Sequence, residues 1–216
     1  MDTRLIDKPI HYLILDTSTP ILRIGIWNAT KKKLLSHASA TNPYDATTSF
    51  FARLDECLHK SNMTLDDINL IIAITGPGSF TSLRAGLSIA KGLSLAKDIP
   101  TIGLTSFEAY FSSLLDYEHN QFLILLDTMK DDFYAGLLNK QGTFIQPPFS
   151  MLAKDLETFV EPNTFIIGNT DHPKITKIEI DLSKIAAYVF EKTSQGIEMN
   201  SNIAPFYLKD PVYLKS

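Results

Sequence analysis

The sequence reads as an α/β protein built from two copies of one unit, in which strands alternate with helices. Three observations predict this class. Short apolar runs such as Tyr12-Leu13-Ile14-Leu15 rise to an acid, as buried strands do at a sheet edge. Longer segments repeat apolar residues at helical spacing. The first strand-turn-strand unit also recurs 111 positions further on, without a gap.

In chain order, Tyr12 to Asp16 is a first buried strand, Thr17 to Pro20 a turn, and Ile21 to Trp27 a second strand. Asn28 to Lys33 turns again; its Lys31-Lys32-Lys33 run reads as a solvated hairpin tip or as a phosphate contact. Leu34 to Ala40 supplies a third strand. A helix is expected over 45–61, with Phe50, Phe51, Leu54 and Leu58 at helical spacing and Asn62 as its end. Thr64-Leu65-Asp66-Asp67 reads as a capped helical turn. The unbroken apolar run Ile68 to Ile74 suits a strand covered on both faces. After Thr75-Gly76-Pro77-Gly78-Ser79 comes a helix over 79–97, stopped by Asp98-Ile99-Pro100. Thr101 to Thr105 is a short strand, and Ser106 can cap a helix running to about Leu115.

The second round begins at Phe122-Leu123-Ile124-Leu125-Leu126-Asp127. Leu15, Asp16, Thr17, Gly25 and Asn28 fall on Leu126, Asp127, Thr128, Gly136 and Asn139, which indicates duplication. This half is slimmer. It carries a hairpin turn near Asn139 to Gly142, a helix near Lys154 to Val160, and a strand at Thr164 to Ile167 closed by Gly168-Asn169. Asp181 or Ser183 can cap a helix that ends before Gly196. The tail holds two near-copies of a pentad, Pro205-Phe206-Tyr207-Leu208-Lys209 and Pro211-Val212-Tyr213-Leu214-Lys215, each able to lay a tyrosine and a leucine on the domain surface.

Composition limits the function classes. The chain has 216 residues, 44% of them apolar and 20% charged, with a net charge of −4. That balance is ordinary for a globular protein and offers no basic face, so a nucleic-acid role would depend on a partner. A single cysteine, Cys57, fits a reducing compartment and reads as a buried structural thiol. With no signal-peptide core and no run approaching membrane-span length, a soluble cytoplasmic protein is expected, without membrane contact.

Two segments can carry chemistry. Asp16-Thr17-Ser18 places a carboxylate and backbone N–H groups at the carboxyl edge of a sheet, where open α/β folds bind ligands. It can hold a metal-bridged phosphate or merely close the hairpin. Gly76-Pro77-Gly78-Ser79 leads into a helix N-terminus, with Arg84 one turn on; it reads as an anion site or as a tight turn. No Gly-Lys-Ser/Thr follows, so it is not a phosphate loop of that type. Metal binding is not expected, because His11, His37, His59, His119 and His172 lack the spacing of a helical ligand pair. No serine sits in a nucleophile-elbow pattern, and no catalytic residue is assigned. Helices 45–61 and 79–97 are apolar on more than one side, which fits either deep burial or a molecular interface.

Leu15-Asp16-Thr17-Ser18-Thr19, Gly76-Pro77-Gly78-Ser79-Phe80-Thr81 with Leu83, Arg84 and Gly86, Gly103 with Ser106, Asp127, and the C-terminal P-x-Y-L-K together resemble the TsaB (YeaZ) family. The resemblance runs over nearly the whole chain in the right order. It implies a duplicated actin-like ATPase (ribonuclease H-like) fold, with an N-terminal subdomain over 1–105 bearing partner-binding helices and a smaller C-terminal subdomain over 106–216. It further implies a non-catalytic role beside the TsaD threonylcarbamoyltransferase, forming N6-threonylcarbamoyladenosine at position 37 of tRNAs that read codons beginning with A. A TsaE-like ATPase belongs to the same implied complex, tRNA is met only through that complex, and a homodimer is a further implied state. The implied pairing surface comprises Phe50, Phe51, Leu54, Phe80, Leu83, Leu87 and Ala90. The implied anion or nucleotide loop comprises Asp16, Thr17, Ser18, Gly76, Gly78, Ser79 and Arg84, with no cofactor of its own and ATP or ADP at the joint with the partner. The chain departs from the family pattern at Ser82, at Asp127-Thr128-Met129-Lys130, and in lacking a histidine early in helix 45–61. A stand-alone actin-like ATPase or phosphotransferase, and a glycoprotease-like peptidase, are the competing readings.

Overall fold

The computed structural model describes residues 9–40, 49–128, 130–160 and 164–208. Two five-stranded mixed sheets form the frame. The first has the order β3-β2-β1-β4-β5, from β1 (His11–Asp16), β2 (Leu22–Asn28), β3 (Lys33–Ala40), β4 (Leu70–Gly76) and β5 (Thr101–Thr105). The second repeats that order as β8-β7-β6-β9-β10, from β6 (Gln121–Asp127), β7 (Asp132–Asn139), β8 (Phe149–Leu152), β9 (Thr164–Gly168) and β10 (Thr176–Lys177). In each, the first two pairings are antiparallel hairpins and the later strands join in parallel. Parallel neighbours need crossover connections, and the first half supplies helices for them: α1 (Phe50–Ser61) before β4 and α2 (Phe80–Lys97) before β5. In the second half the described residues of the β8–β9 crossover form a 3₁₀ turn and the four-residue α4 (Leu156–Phe159), where the sequence predicts a helix over 154–160. Strands β8 and β10 have no counterpart in the sequence reading, being short and mostly exposed.

Helix ends follow local chemistry. Asn62 and Asp98 take left-handed conformations, φ 55° and 52°, and stop α1 and α2. The expected start of the first helix at 45–48 lies outside the described residues. Asp181 caps α5 (Leu182–Ser194) through Ser183 and Lys184 N–H groups, as expected. Two expected caps differ. Thr105, not Ser106, caps α3 (Ser106–Ser112), because Glu108 completes a reciprocal capping box with it. The Ser79 side chain makes no cap bond to α2 and reaches the Ser82 hydroxyl instead, at 3.0 Å.

The duplication holds, but not without a gap. Gly25 pairs with Ile14 and Gly136 with Ile124; Asn28 pairs with His11 and Asn139 with Gln121. When the second strands superpose at the 111 offset, the first strands are therefore offset by one residue less, and the β6–β7 turn is one residue longer. By register the counterpart of Asp16, opposite Arg23, is Leu126, opposite Tyr134. Strand side chains alternate between faces, so Asp127 does not repeat the position of Asp16.

The inner faces of both sheets share one core with α3 and α5, containing Ile14, Trp27, Phe107, Phe111, Ile124 and Val189. The outer face of the first sheet packs on α1 and α2, and that of the second on the α4 region. The terminal helices are exchanged: α5 lies on β1, β2 and β3, while α3 reaches β6 as well as β4 and β5. Matching glycines admit them. A Cβ at Gly136 would stand 2.6 Å from the Phe107 ring, and one at Gly25 would stand 2.9 Å from Leu182.

Beyond α5 the chain returns to the first sheet. Gly103 donates to the Asn200 carbonyl (2.8 Å), Thr101 Oγ1 to the Ser201 carbonyl (2.8 Å), and Phe206 N to the Thr75 carbonyl (2.8 Å). Ile203 is buried in the outer core. In the first pentad, Tyr207 rests on Phe80 and Leu208 packs against the shared core, as expected; the second pentad lies outside the described residues. Among the described residues no helix is long and apolar enough to cross a membrane.

Cys57 is fully buried on α1, and burial pushes its thiol up to about 11. Iodoacetamide at neutral pH should leave Cys57 unmodified in the native protein and label it after denaturation, as read by intact mass. Gly136→Ala should destabilise the fold by about 1–3 kcal/mol by overpacking Phe107. Gly92→Ala, in α2 with nothing within 4 Å of the added carbon, should stabilise it by about 0.5–1 kcal/mol; denaturant titration reads both.

Candidate functional site

The turns after β1, β4, β6 and β9 line one cleft of about 650 Å³ between the two sheets, at their carboxyl edges. This is the edge at which parallel α/β sheets present loop N–H groups and polar side chains to ligands. The first half contributes Ser18, Thr19, Arg23, Gly78, Ser79 and, from α3, Tyr110. The second contributes Asp127, Thr128, Tyr134, Asn169, Lys177 and Glu179.

Asp16 lies behind this surface with no exposure. Its Oδ1 accepts from the Ser18 N–H (2.9 Å) and hydroxyl (2.6 Å), and its Oδ2 accepts from Arg23 Nη1 at 3.2 Å. The same Arg23 nitrogen donates to Thr19 Oγ1 at 3.0 Å. Both carboxylate oxygens are thus engaged within their own hairpin. Ser79 N donates to the Ser18 carbonyl at 2.8 Å, and a Cβ at Gly78 would stand 2.0 Å from that oxygen. The two predicted loops therefore clasp each other. Thr17 packs on α2 where Gly86 leaves room; a Cβ there would stand 2.2 Å from Thr17 Oγ1.

Of the seven residues expected to form an anion loop, Ser18, Gly78 and Ser79 reach the cleft. Asp16 and Thr17 are buried. Gly76 sits beneath the loop at φ 106°, its missing Cβ facing Leu83 and the Phe206 carbonyl. Arg84 turns away: it stacks on Phe80 at 3.8 Å, and its Nε donates to the Tyr207 hydroxyl at 2.8 Å. The seven do not form one cradle, because the loops satisfy each other and the C-terminal segment holds the cation.

The actin-like fold implies a metal-bound nucleotide in such a cleft, and these residues do not fit one. The carboxylate that would meet the metal is buried against Arg23. The cleft's other lysine or arginine, Lys177, is paired with Asp171 at 2.8 Å. Among the described residues no group of three His, Cys, Asp or Glu side chains is placed to hold a metal ion.

Sequence reasoning missed Arg23, Tyr110, Tyr134, Lys177 and Glu179. Arg23 alone left a signal, as a lone charge inside an apolar strand. Asn169, noted at the end of its strand, ties β9 to β6 by accepting from Asp127 N at 2.8 Å. Burial, reinforced by the Asp16 carboxylate, pushes the Tyr110 phenol well above its ordinary value despite Arg23 nearby, so it stays protonated.

The expected pairing surface also needs correction. Phe50, Leu54, Leu83, Leu87 and Ala90 are buried in the chain's own core, because that stripe of each helix covers the sheet. Phe80 is half-buried under Tyr207 and Arg84, and Phe51 is exposed. The outward faces instead present Phe51 on α1, with Ser88, Gly92, Leu95 and Ala96 on α2; Phe51 is 57% exposed and Leu95 is 85% exposed.

Removing Arg23 should leave a buried, unpaired carboxylate. Arg23→Met is expected to cost about 3 kcal/mol, and adding Asp16→Asn should recover most of it in a double-mutant cycle read by denaturant unfolding.

The family described as TsaD, tRNA N6-adenosine threonylcarbamoyltransferase, matches residues 47–186. The chain is 33% identical over 97 residues to the tRNA threonylcarbamoyladenosine biosynthesis protein TsaB of Escherichia coli, a match covering 45% of this chain and 41% of that one. It is 40% identical over 77 residues to the tRNA N6-adenosine threonylcarbamoyltransferase of Kosmotoga olearia, covering 34% of this chain and 23% of that protein. The TsaB relatives are matched over 39% to 62% of their length. YeaZ from Pseudomonas aeruginosa shares the fold at a TM-score of 0.74 and 14% identity, with 92% of this chain and 100% of that one covered.

Proposed function

Because the chain belongs to the TsaB/YeaZ group of the tRNA N6-adenosine threonylcarbamoyltransferase family, we propose that it acts in tRNA threonylcarbamoyladenosine biosynthesis as the non-catalytic partner of a TsaD-like subunit. The observation that carries the pairing is the outward face of α1 and α2. Phe51 stands exposed on α1, and on α2 Leu95 stands exposed less than one turn from the open backbone of Gly92. Small residues on that face let a second helix pair approach closely, and exposed apolar groups gain from being covered. The same face would serve for a second copy of the chain when the TsaD-like subunit is absent.

On this reading the chemistry and the nucleotide belong to the TsaD-like subunit, to its joint with this chain, and to a TsaE-like ATPase, and tRNA is met through the assembled complex. The buried Asp16–Arg23 pair supports a structural use of the hairpin that would otherwise face a nucleotide. The expected target is the adenosine at position 37 of tRNAs reading codons that begin with A.

Depleting the protein should remove threonylcarbamoyladenosine from digested tRNA, as read by nucleoside mass spectrometry, and the wild-type chain should restore it. Gly92→Arg or Leu95→Glu should abolish co-purification with the TsaD-like subunit and fail to restore the nucleoside, while circular dichroism stays unchanged. Unchanged nucleoside levels after depletion would refute the function, and normal pairing by both variants would refute the face.

A further inference from the structure

We propose that Lys31, Lys32, Lys33, Lys140 and Lys192, at the sheet edges opposite the cleft, form a surface for the phosphate backbone of tRNA. The choice of tRNA rests on the function proposed above; the surface itself rests on geometry and charge. It begins with the Lys31-Lys32-Lys33 run, which the sequence leaves open between a solvated hairpin tip and a phosphate contact.

Folding gathers lysines that lie far apart in the chain. The turns after β2 and β7 are two copies of one tip. Asn28 opens the first, its Oδ1 accepting from Lys31 N at 2.6 Å, and Asn139 opens the second, its Oδ1 accepting from Gln141 N at 3.0 Å. These asparagines pair with the first residues of β1 and β6, His11 and Gln121, so both tips stand remote from the cleft. The end of α5 touches both. Lys32 Nζ sits 5.2 Å from the centre of the Phe190 ring, and Lys192 Nζ donates to the Gln141 carbonyl at 3.3 Å.

The charge of this end is uncompensated. Among the described residues no carboxylate lies within ion-pair distance of any of the five ammonium groups, whereas Lys60, Lys97, Lys174, Lys177 and Lys184 each have a carboxylate partner. Four of the five are exposed and Lys192 is half-buried. Glu191 and Glu198 are the exposed acids at the end of α5 and just beyond it, and neither pairs with a lysine. In a chain of net charge −4, such a concentration runs against the overall balance. Clustered positive charge of this kind is the electrostatic footprint of a nucleic-acid contact.

One of these cations is also placed in advance. Lys32 is left-handed, at φ 47°, a conformation that glycine or asparagine adopts more readily. Its ammonium lies over Phe190, whose ring packs at 5.8 Å on the buried Trp27. A group already held loses less freedom on binding. Cations on two separate tips suit an extended polyanion better than a single phosphate, and lysines that meet phosphates position a nucleic acid without reading its bases. The turns that carry them, Asn28 to Lys33 and Asn139 to Gly142, lack the apolar face that a membrane contact uses. The chain thus adds its own contact to the tRNA held by the complex.

The test is a salt series with the full chain and a labelled, unmodified tRNA transcript, read by fluorescence anisotropy. Binding should be measurable at low salt and fall steeply as salt rises. Lys31→Glu, Lys32→Glu and Lys33→Glu combined should weaken it at least about tenfold and lower the salt slope by about two to three. Lys140→Glu with Lys192→Glu should lower the slope by about one to two, and this pair stays decisive if the first variant unsettles its hairpin. Glu191→Gln should tighten binding about twofold. Absence of binding at low salt, an affinity and slope unchanged in both lysine variants, or tighter binding to phosphatidylglycerol vesicles than to tRNA would each overturn the surface. In depleted cells, both lysine variants should still co-purify with the TsaD-like subunit but restore the nucleoside only in part; full restoration would overturn the surface's role and leave the function standing. Nucleoside levels indifferent to depletion would refute the function, while the salt series still decides the surface.

Discussion

The architecture depends on two close approaches. Phe107 at the start of α3 lies over Gly136 of β7, and Leu182 at the start of α5 lies over Gly25 of β2. Each glycine occupies the same register position in its own hairpin, opposite an inward isoleucine. The missing side chains let the exchanged helices settle onto the strands and join two small sheets through one apolar core. Neither sheet alone would bury both of its faces, so the halves stabilise each other.

That joint also explains the cleft. With the two sheets held by α3 and α5, their carboxyl edges are fixed near each other, and the turns after β1, β4, β6 and β9 meet across the gap. The details of those turns then decide what the gap can hold. The Asp16 hairpin closes on itself through Arg23 and Ser18, and the Gly78 loop closes on Ser18. The fold therefore keeps the opening, while the polar groups around it serve the backbone.

Much of this was legible in the sequence, and the failures are instructive. Strands β1, β4 and β6 carry continuous apolar runs and β2 is interrupted by Arg23 alone, and buried strands leave that signature wherever both faces are covered. The repeat was visible because Gly25 and Gly136 are held in place by packing. Its one-residue slip was invisible, because an acid and a threonine follow the apolar run in both halves and mask the longer second turn. The exposed helix faces were hidden for a similar reason: periodicity identifies apolar stripes but not which stripe meets the sheet. On α2 the buried stripe runs through Leu83, Leu87 and Ala90, and the open one through Ser88, Gly92 and Leu95. The cleft residues Tyr110 and Glu179 were silent, since they come together only through the exchange of helices.

The return of residues 200–206 to the edge of β5 has a consequence for the order of assembly. During synthesis the first sheet is translated early, yet the segment that hydrogen-bonds to Thr101 and Gly103 emerges after every helix and strand of the second half. Until then β5 presents an open edge on a nascent chain, the kind of edge that invites pairing with a neighbour. Closure of the amino-terminal half therefore waits for a segment made after the second sheet, and a nascent chain still lacking that segment carries its oldest sheet unsealed.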